Sequence, residues 1–336
     1  MKITPEGIAD LPLEEKRLLL AKVLCERSER AIAGAPLQEA PSELLSRDAI
    51  NQRFAEVINS TSDVTVVYED VLGEGPGGWD PNPRYPQKTV NCLVWPQLLI
   101  SEIYGKDLSV KTSVMDRIRY YGGHVGFSLR KHFIDQWMAF EPEPLVRVNL
   151  NVPGLTERKQ VKIDPKIFVD YRKFPGRLYK MDQTRIEIEY TTGDGLMRAA
   201  RNLRSGYYIA FGVASETYIE KYGISSGPMG LVHPMVLKLD PMPTEAQERP
   251  LQIAMVYHAS IYTECIHTAS LESFVQRMEK LFLGYALYEL DPYWDFEKQK
   301  PRDKETQELL SFESQIVVKR QPSTRLFRPA FTALSE

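Results

Sequence analysis

Cysteine and histidine are scarce in this chain, and no one sign of charge is in excess. Only three cysteines occur in 336 residues, an odd and small number that excludes a disulfide framework and leaves each thiol packed, metal-bound or reactive. Among the five histidines, Cys265 and His267 make the one close Cys/His pair, and it lacks the second pair that a zinc site needs. No metal and no cofactor are therefore expected. The 42 Lys+Arg against 45 Asp+Glu leave a net charge of −3, so there is no basic field to draw nucleic acid or anionic lipid. Long apolar runs are missing too. Residues 92–100 and 281–287 are broken by Pro or polar residues well short of the roughly 18 that a membrane span requires. The opening MKITPEGIADLPLEEKRLLLAK carries Pro5, Pro12 and early acids instead of an apolar core behind a basic start. It does not read as a secretory signal, and a cytoplasmic location is expected. The glycine-rich 73–86 lacks the Lys–Ser/Thr of a phosphate loop.

What is present is ordinary globular composition, 43% hydrophobic and 26% charged, in a chain long enough for two lobes or one decorated domain. Residues 12–34 set Leu18, Leu19, Val23, Leu24 and Ala31 among charges, the pattern of an amphipathic helix, with Cys25 inside it as a packing residue. A second helix is expected over 47–59 and a third over 90–105, where positions 94, 95, 98, 99 and 103 are apolar. Beyond residue 145 the period changes to two. Strands are expected at 145–152, 160–164, 184–190, 207–213, 231–239 and 251–259, a helix at 270–281 with Ser270 as its cap, and a late strand at 315–319. The fold class expected is α+β: a helical lobe over 1–140 and an antiparallel β-rich lobe over 141–336, meeting at a cleft.

A cysteine nucleophile needs a partly exposed thiol near positive potential, commonly at a helix start, with an imidazole to take its proton. Cys92 is the candidate, because Asn91 is a good N-cap residue and an apolar-periodic helix follows. Pro96 forces the first turn to be irregular or moves the regular helix toward itself. His233 and His258 sit in strand-like runs, whereas His124 and His132 flank GFSLRK after the YYGG turn. Pro234 cannot donate to a sheet and predicts a strand edge or break beside His233.

The stretch NCLVWPQLLISEIYG, followed by Arg117-Ile118-Arg119-Tyr120, Gly122-Gly123, Arg130-Lys131-His132-Phe133 and Asp135-Gln136-Trp137, resembles the papain-like cysteine amidases of the NlpC superfamily. Downstream, Gly230-Leu231-Val232-His233 and Tyr257-His258-Ala259-Ser260 match that superfamily's two histidine-bearing strands, and the matched region spans 88–290. The resemblance implies a papain-like fold with Cys92 as nucleophile and with His258 and His233 as base and orienting partner, in either assignment. Asp116, beside the RIRY element, is the candidate orienting acid.

Within the superfamily, the resemblance extends to the thioester Dieckmann cyclases, which release acyl chains from carrier proteins as tetramate-like rings. The expected substrate and partner are then a phosphopantetheinyl acyl thioester on a carrier protein. Cys92 would take the chain from the carrier thioester, and His258 or His233 would remove an acidic proton between two carbonyls. The carbanion would close the ring and free the thiol, with N–H groups near Cys92 as oxyanion hole. The alternatives are an intracellular amidase or peptidase on muropeptide or γ-glutamyl substrates, and a non-catalytic binding protein of the same fold.

Overall fold

The structure, a computed structural model, describes residues 45–294 apart from 68–72, 76–77, 79–81, 86–87, 127–128, 132–143, 151, 164–183, 222–229, 241–252, 261 and 293. The helix expected at 12–34, the strand at 315–319, Cys25 and His132 lie outside the described residues.

Three helices come first. Helix α1 (Arg47–Ser60) begins where the Ser46 hydroxyl accepts from the Ala49 N–H at 3.1 Å, and it buries Ile50, Phe54, Val57 and Ile58 on one stripe. Helix α2 (Val94–Tyr104) is apolar on nearly every side and buried accordingly, the state expected of a core helix. Helix α3 (Leu108–Arg119) starts on the Asp107 carboxylate, which accepts from the Val110 N–H at 2.9 Å. It ends in a 3-10 turn, Tyr121–Gly123, where Gly122 and Gly123 take φ of 62° and 73°, a region that penalises a side chain. A parallel pair of short strands, β1 (Thr65–Val66) and β2 (Thr89–Val90), leads into α2.

The rest is an eight-stranded antiparallel sheet. In chain order its strands are β3 (Leu145–Arg147), β4 (Thr156–Ile163), β5 (Thr184–Thr191), β6 (Gly206–Ala214), β7 (Leu231–Asp240), β8 (Ile253–Ser260), β9 (Cys265–Ser270) and β10 (Phe282–Leu290). Their spatial order is β4-β5-β10-β6-β7-β8-β9, with β3 pairing β10 off that path. Helices α4 (Gly193–Ala200), α5 (Glu216–Lys221) and α6 (Leu271–Met278) punctuate the strands. Ser270 caps α6 as the sequence indicates, its hydroxyl accepting from the Ser273 N–H at 3.2 Å.

Alternation along the strands gives the sheet two buried faces. On one, Ile209, Phe211, Val213, Leu231, Val236 and Ala259 pack with Phe54 of α1, Leu99 of α2 and Ile118 of α3. Helices of the amino-terminal half and strands of the carboxy-terminal half thus share one core. On the other face, Tyr208, Ala210, Met235, Leu237 and Val256 pack with Leu196 of α4 and Phe274 and Val275 of α6. This mixed helix-and-sheet arrangement agrees with the α+β class. Among the described residues no helix is long and apolar enough to cross a membrane.

Candidate active site

Cys92 stands at the entrance to α2. The Asn91 carbonyl accepts from the Trp95 N–H at 3.0 Å, and the Asn91 side chain accepts from the Leu93 and Val94 N–H groups at 3.0 and 2.8 Å. Asn91 is therefore the working cap and Cys92 the first residue of the turn, as its sequence neighbours suggest. Pro96 falls inside the first turns, where its missing N–H costs little. The sulfur lies against the backbone N–H groups of Cys92 and Leu93, which favour the thiolate. Burial opposes them and wins, pushing the thiol up to about 11. Cys92 packs with the core on the α1–α2–α3 face of the sheet.

The two predicted histidines are brought together. His233 Nε2 and His258 Nδ1 are 3.0 Å apart, so one imidazole donates and the other accepts. This contact depends on a bulge. Phe211 faces Pro234 and Gly212 faces Val232 across β6 and β7, leaving His233 unpaired with φ of 44°, a conformation few non-glycine residues adopt. Pro234 thus marks a bulge in an interior strand, where the sequence suggested an edge or a break.

The pair does not face Cys92. Tyr257 and Ala259 of β8 belong to the α1–α2–α3 face, so the period of two turns His258 to the opposite side. There its ring meets Phe274 of α6 with centroids 5.1 Å apart, and His233 lies among His258, Phe274 and Phe282. A third imidazole, His267, sits directly across from His258 in the β8–β9 hairpin, with ring centroids 5.4 Å apart. Its signal in the sequence is the near-symmetric spacing of His258 and His267 about a turn, which pairs them once a hairpin is assumed. The expected apposition of His258 or His233 with the thiol is therefore not what this structure contains, because the sheet stands between them.

Burial lowers the His233 imidazole to about 4. Burial, then the neighbouring His233, His267 and Arg277, lower His258 to about 3. His258 Nε2 is buried with no hydrogen-bond partner among the described residues.

Asp116 is committed elsewhere. It is 3% exposed on α3 and ion-paired with Arg84, whose Nε also donates to Oδ1 at 3.4 Å. Burial pushes its carboxyl up, against the pull of Arg84 and Arg119. Its partner is thus an arginine and not a histidine, which corrects the expectation that it orients the base. The RIRY element has a scaffolding part: Arg119, 1% exposed, donates to the Gln97 side chain of α2 at 3.0 Å and to the Arg84 carbonyl at 2.5 Å. Lys131 closes the knot, its backbone N–H donating to the Arg119 carbonyl at 2.7 Å and its ammonium to the Arg117 carbonyl at 3.2 Å. These residues fasten α3 to α2, the helix that follows Cys92. Among the described residues no group of three His, Cys, Asp or Glu side chains is arranged to hold a metal ion.

No protein-family model matches the chain, and no curated protein sequence does. Among solved structures it is similar to protein LPG0564 from Legionella pneumophila, described under the family DUF1460, with TM-score 0.58, 14% identity, and coverage of 72% of this chain and 89% of that one. An N-acetylmuramoyl-L-alanine amidase from Bacteroides uniformis aligns with TM-score 0.45 and 14% identity over 72% of this chain and 98% of that one. At this identity, what the first likeness shows is a shared fold.

Proposed function

We propose that the chain is a cysteine-dependent hydrolase acting on an amide bond, with Cys92 as the acyl acceptor. One observation carries the reading: the sulfur sits at a capped helix start, against the N–H groups of Cys92 and Leu93. The Leu93 N–H is held by the Asn91 side chain, so the Cys92 N–H is the donor left to meet a tetrahedral oxyanion, worth about 3–4 kcal/mol. Cys92 sulfur bonds to the substrate carbonyl carbon, the C–N bond breaks as the amine leaves with a proton, and water hydrolyses the thioester to regenerate the thiol. The NlpC-like order of motifs supports the same reading.

The thiol is protonated at neutral pH in the free protein, so attack requires a proton acceptor within about 3 Å of the sulfur. His233 and His258 face away from it, and their work in this reading is to fix β7, β8 and α6. A second reading, a non-catalytic binding protein of the same fold, is favoured by that separation of thiol and imidazoles. Ring closure from a carrier-bound thioester would use the same acyl-enzyme, and no observation on the site favours it over hydrolysis.

The test is amine release from a panel of N-acyl-alanyl and γ-glutamyl amides by the purified chain and its Cys92→Ala variant. Turnover that disappears with the sulfur supports the hydrolase. Silence on every amide, with cyclic product from a β-ketoacyl-aminoacyl thioester, would replace it by the cyclase. Silence on both substrate classes would leave the binding protein.

A further inference from the structure

Three imidazoles line up across β7, β8 and β9 on the face of the sheet that α6 covers, and none of them takes part in the proposed chemistry. In the sequence, Cys265 and His267 form a close Cys/His pair that lacks a second pair. The hairpin supplies a further donor, because its register sets His258 directly across from His267.

The ring nitrogens decide what these side chains can do. His258 Nδ1 is turned toward β7, where it is hydrogen-bonded to His233 at 3.0 Å. The two nitrogens of an imidazole point in diverging directions, so Nε2 is turned away from β7 and toward β9, the strand on the other side of β8. His258 is 4% exposed, and this nitrogen has no hydrogen-bond partner among the described residues. On β9, His267 is half-buried, and its Nδ1 is likewise buried with no partner among the described residues. β9 ends the path of the sheet, so the buried side of that ring is the side turned to β8 and α6.

The spacing suits one ion shared between the two rings. A zinc–nitrogen bond of about 2.0–2.1 Å puts the metal about 3.2 Å from each ring centroid. Centroids 5.4 Å apart then subtend about 115° at the metal, close to the tetrahedral angle. Burial keeps His258 neutral at physiological pH, the state in which imidazole ligates.

A ligating histidine usually has its other nitrogen hydrogen-bonded, which sets the tautomer and frees the lone pair for the metal. His233 Nε2 accepts in that way when His258 Nδ1 carries the proton. Holding His233 there costs backbone strain, since it sits at the bulge with φ of 44°. A strained imidazole, set against a ring whose other nitrogen is unpartnered, is the pattern of a ligand and its orienting neighbour. Cys265 shares the face of His267, but among the described residues no group of three such side chains is arranged to hold an ion, so the chain supplies two ligands and water the rest. Arg277, exposed on α6 and acting on His258, is a like charge that limits the affinity.

We propose that His258 Nε2 and His267 Nδ1 bind zinc(II), which ties the edge strand β9 to β8.

Calorimetric titration of zinc(II) into the full chain, stripped beforehand with EDTA, tests this. One saturable site per chain is expected, and zinc should raise the urea midpoint. His267→Gln alters a half-buried residue of the edge strand and should keep the fold by circular dichroism while weakening binding about tenfold or more. Arg277→Gln removes the like charge and should tighten binding. His233→Gln keeps an acceptor for His258 and should bind more tightly than His233→Leu, which has none. Cys92→Ala should bind as the unaltered chain does, which separates this site from the proposed hydrolase. Absence of saturation, affinity of His267→Gln within about twofold of the original, looser binding after Arg277→Gln, or loss of the site in Cys92→Ala would overturn the proposal.

Discussion

Replacing His258 by Phe should make the protein less sensitive to acid while weakening it at neutral pH. His258 is 4% exposed, hydrogen-bonded to His233 of β7, opposite His267 of β9, and packed against Phe274 of α6. Folding lowers its pKa from 6.5 to about 3, so over that range the unfolded chain binds a proton that the folded chain refuses. The sign is set by that difference: the stability held by neutral His258 is fully present above the unfolded value, and it drains away as pH falls toward the folded one. One such group contributes a slope of about 1.4 kcal/mol per pH unit in that window. Phenylalanine keeps the contact with Phe274 but forfeits the bond to His233, a loss of about 1 kcal/mol at neutral pH. The two stability curves should therefore converge below pH 6.5 and cross between about pH 6 and about pH 5, where the lost titration outweighs the lost bond. Urea unfolding of both proteins at steps from about pH 7.5 to about pH 4.5 measures this, and carboxylates common to both cancel in the difference. Parallel curves across that range would mean that His258 titrates alike in folded and unfolded chains, and the coupling of its burial to acid sensitivity would be wrong.

Three further outcomes rest on the same geometry. Asn91→Ala removes the acceptor for the Leu93 and Val94 N–H groups and should cost about 1 kcal/mol, read as a lower urea midpoint with unchanged slope. Gly193→Ala puts a methyl 2.4 Å from Val275 Cγ1 and should destabilise by about 1–3 kcal/mol, with Val275→Ala restoring part of the loss; additive costs would argue against the close approach. Alkylation of Cys92 by iodoacetamide should accelerate about tenfold per pH unit up to about pH 9, because burial holds the thiol near 11; a plateau near neutrality would mean that a base already acts on it.

Much of the sheet was legible in the sequence because its strands alternate, as TRIEIEYT does in setting Ile186, Ile188 and Tyr190 between charged residues. One interior strand was not. FLGYALYEL (β10) pairs with β3, β5 and β6 and is buried on both faces, so it shows a continuous apolar run in place of alternation. Helix α3 was missed for the opposite reason, since LSVKTSVMDRIR carries few apolar residues and is held by Asp107 and the buried Arg119. Glycines at 193 and 195 concealed α4, where the first is required by packing on Val275.

The candidate site divides the same way. The Asn91 cap beside Cys92 is a local signal and was readable from two adjacent residues. The pairing of His233 with His258 was implied by the family resemblance. The face they share was not, because a single bulged residue changes the side to which a strand directs its later side chains, and nothing in the local sequence announces the bulge beyond Pro234. Arg84 as the partner of Asp116 comes from 32 residues away, through a loop whose path the sequence does not encode locally.

Acceptance of an acyl group by Cys92 is the step on which the proposed hydrolase stands or falls, and intact-mass analysis after rapid quenching with a slowly deacylating N-acyl amide observes that step itself. A transient mass increase equal to the acyl group is expected, mapped to the peptide containing Cys92 and absent from Cys92→Ala. Amide turnover at full rate with no adduct, or an adduct that survives the substitution, would rule Cys92 out as the acyl acceptor.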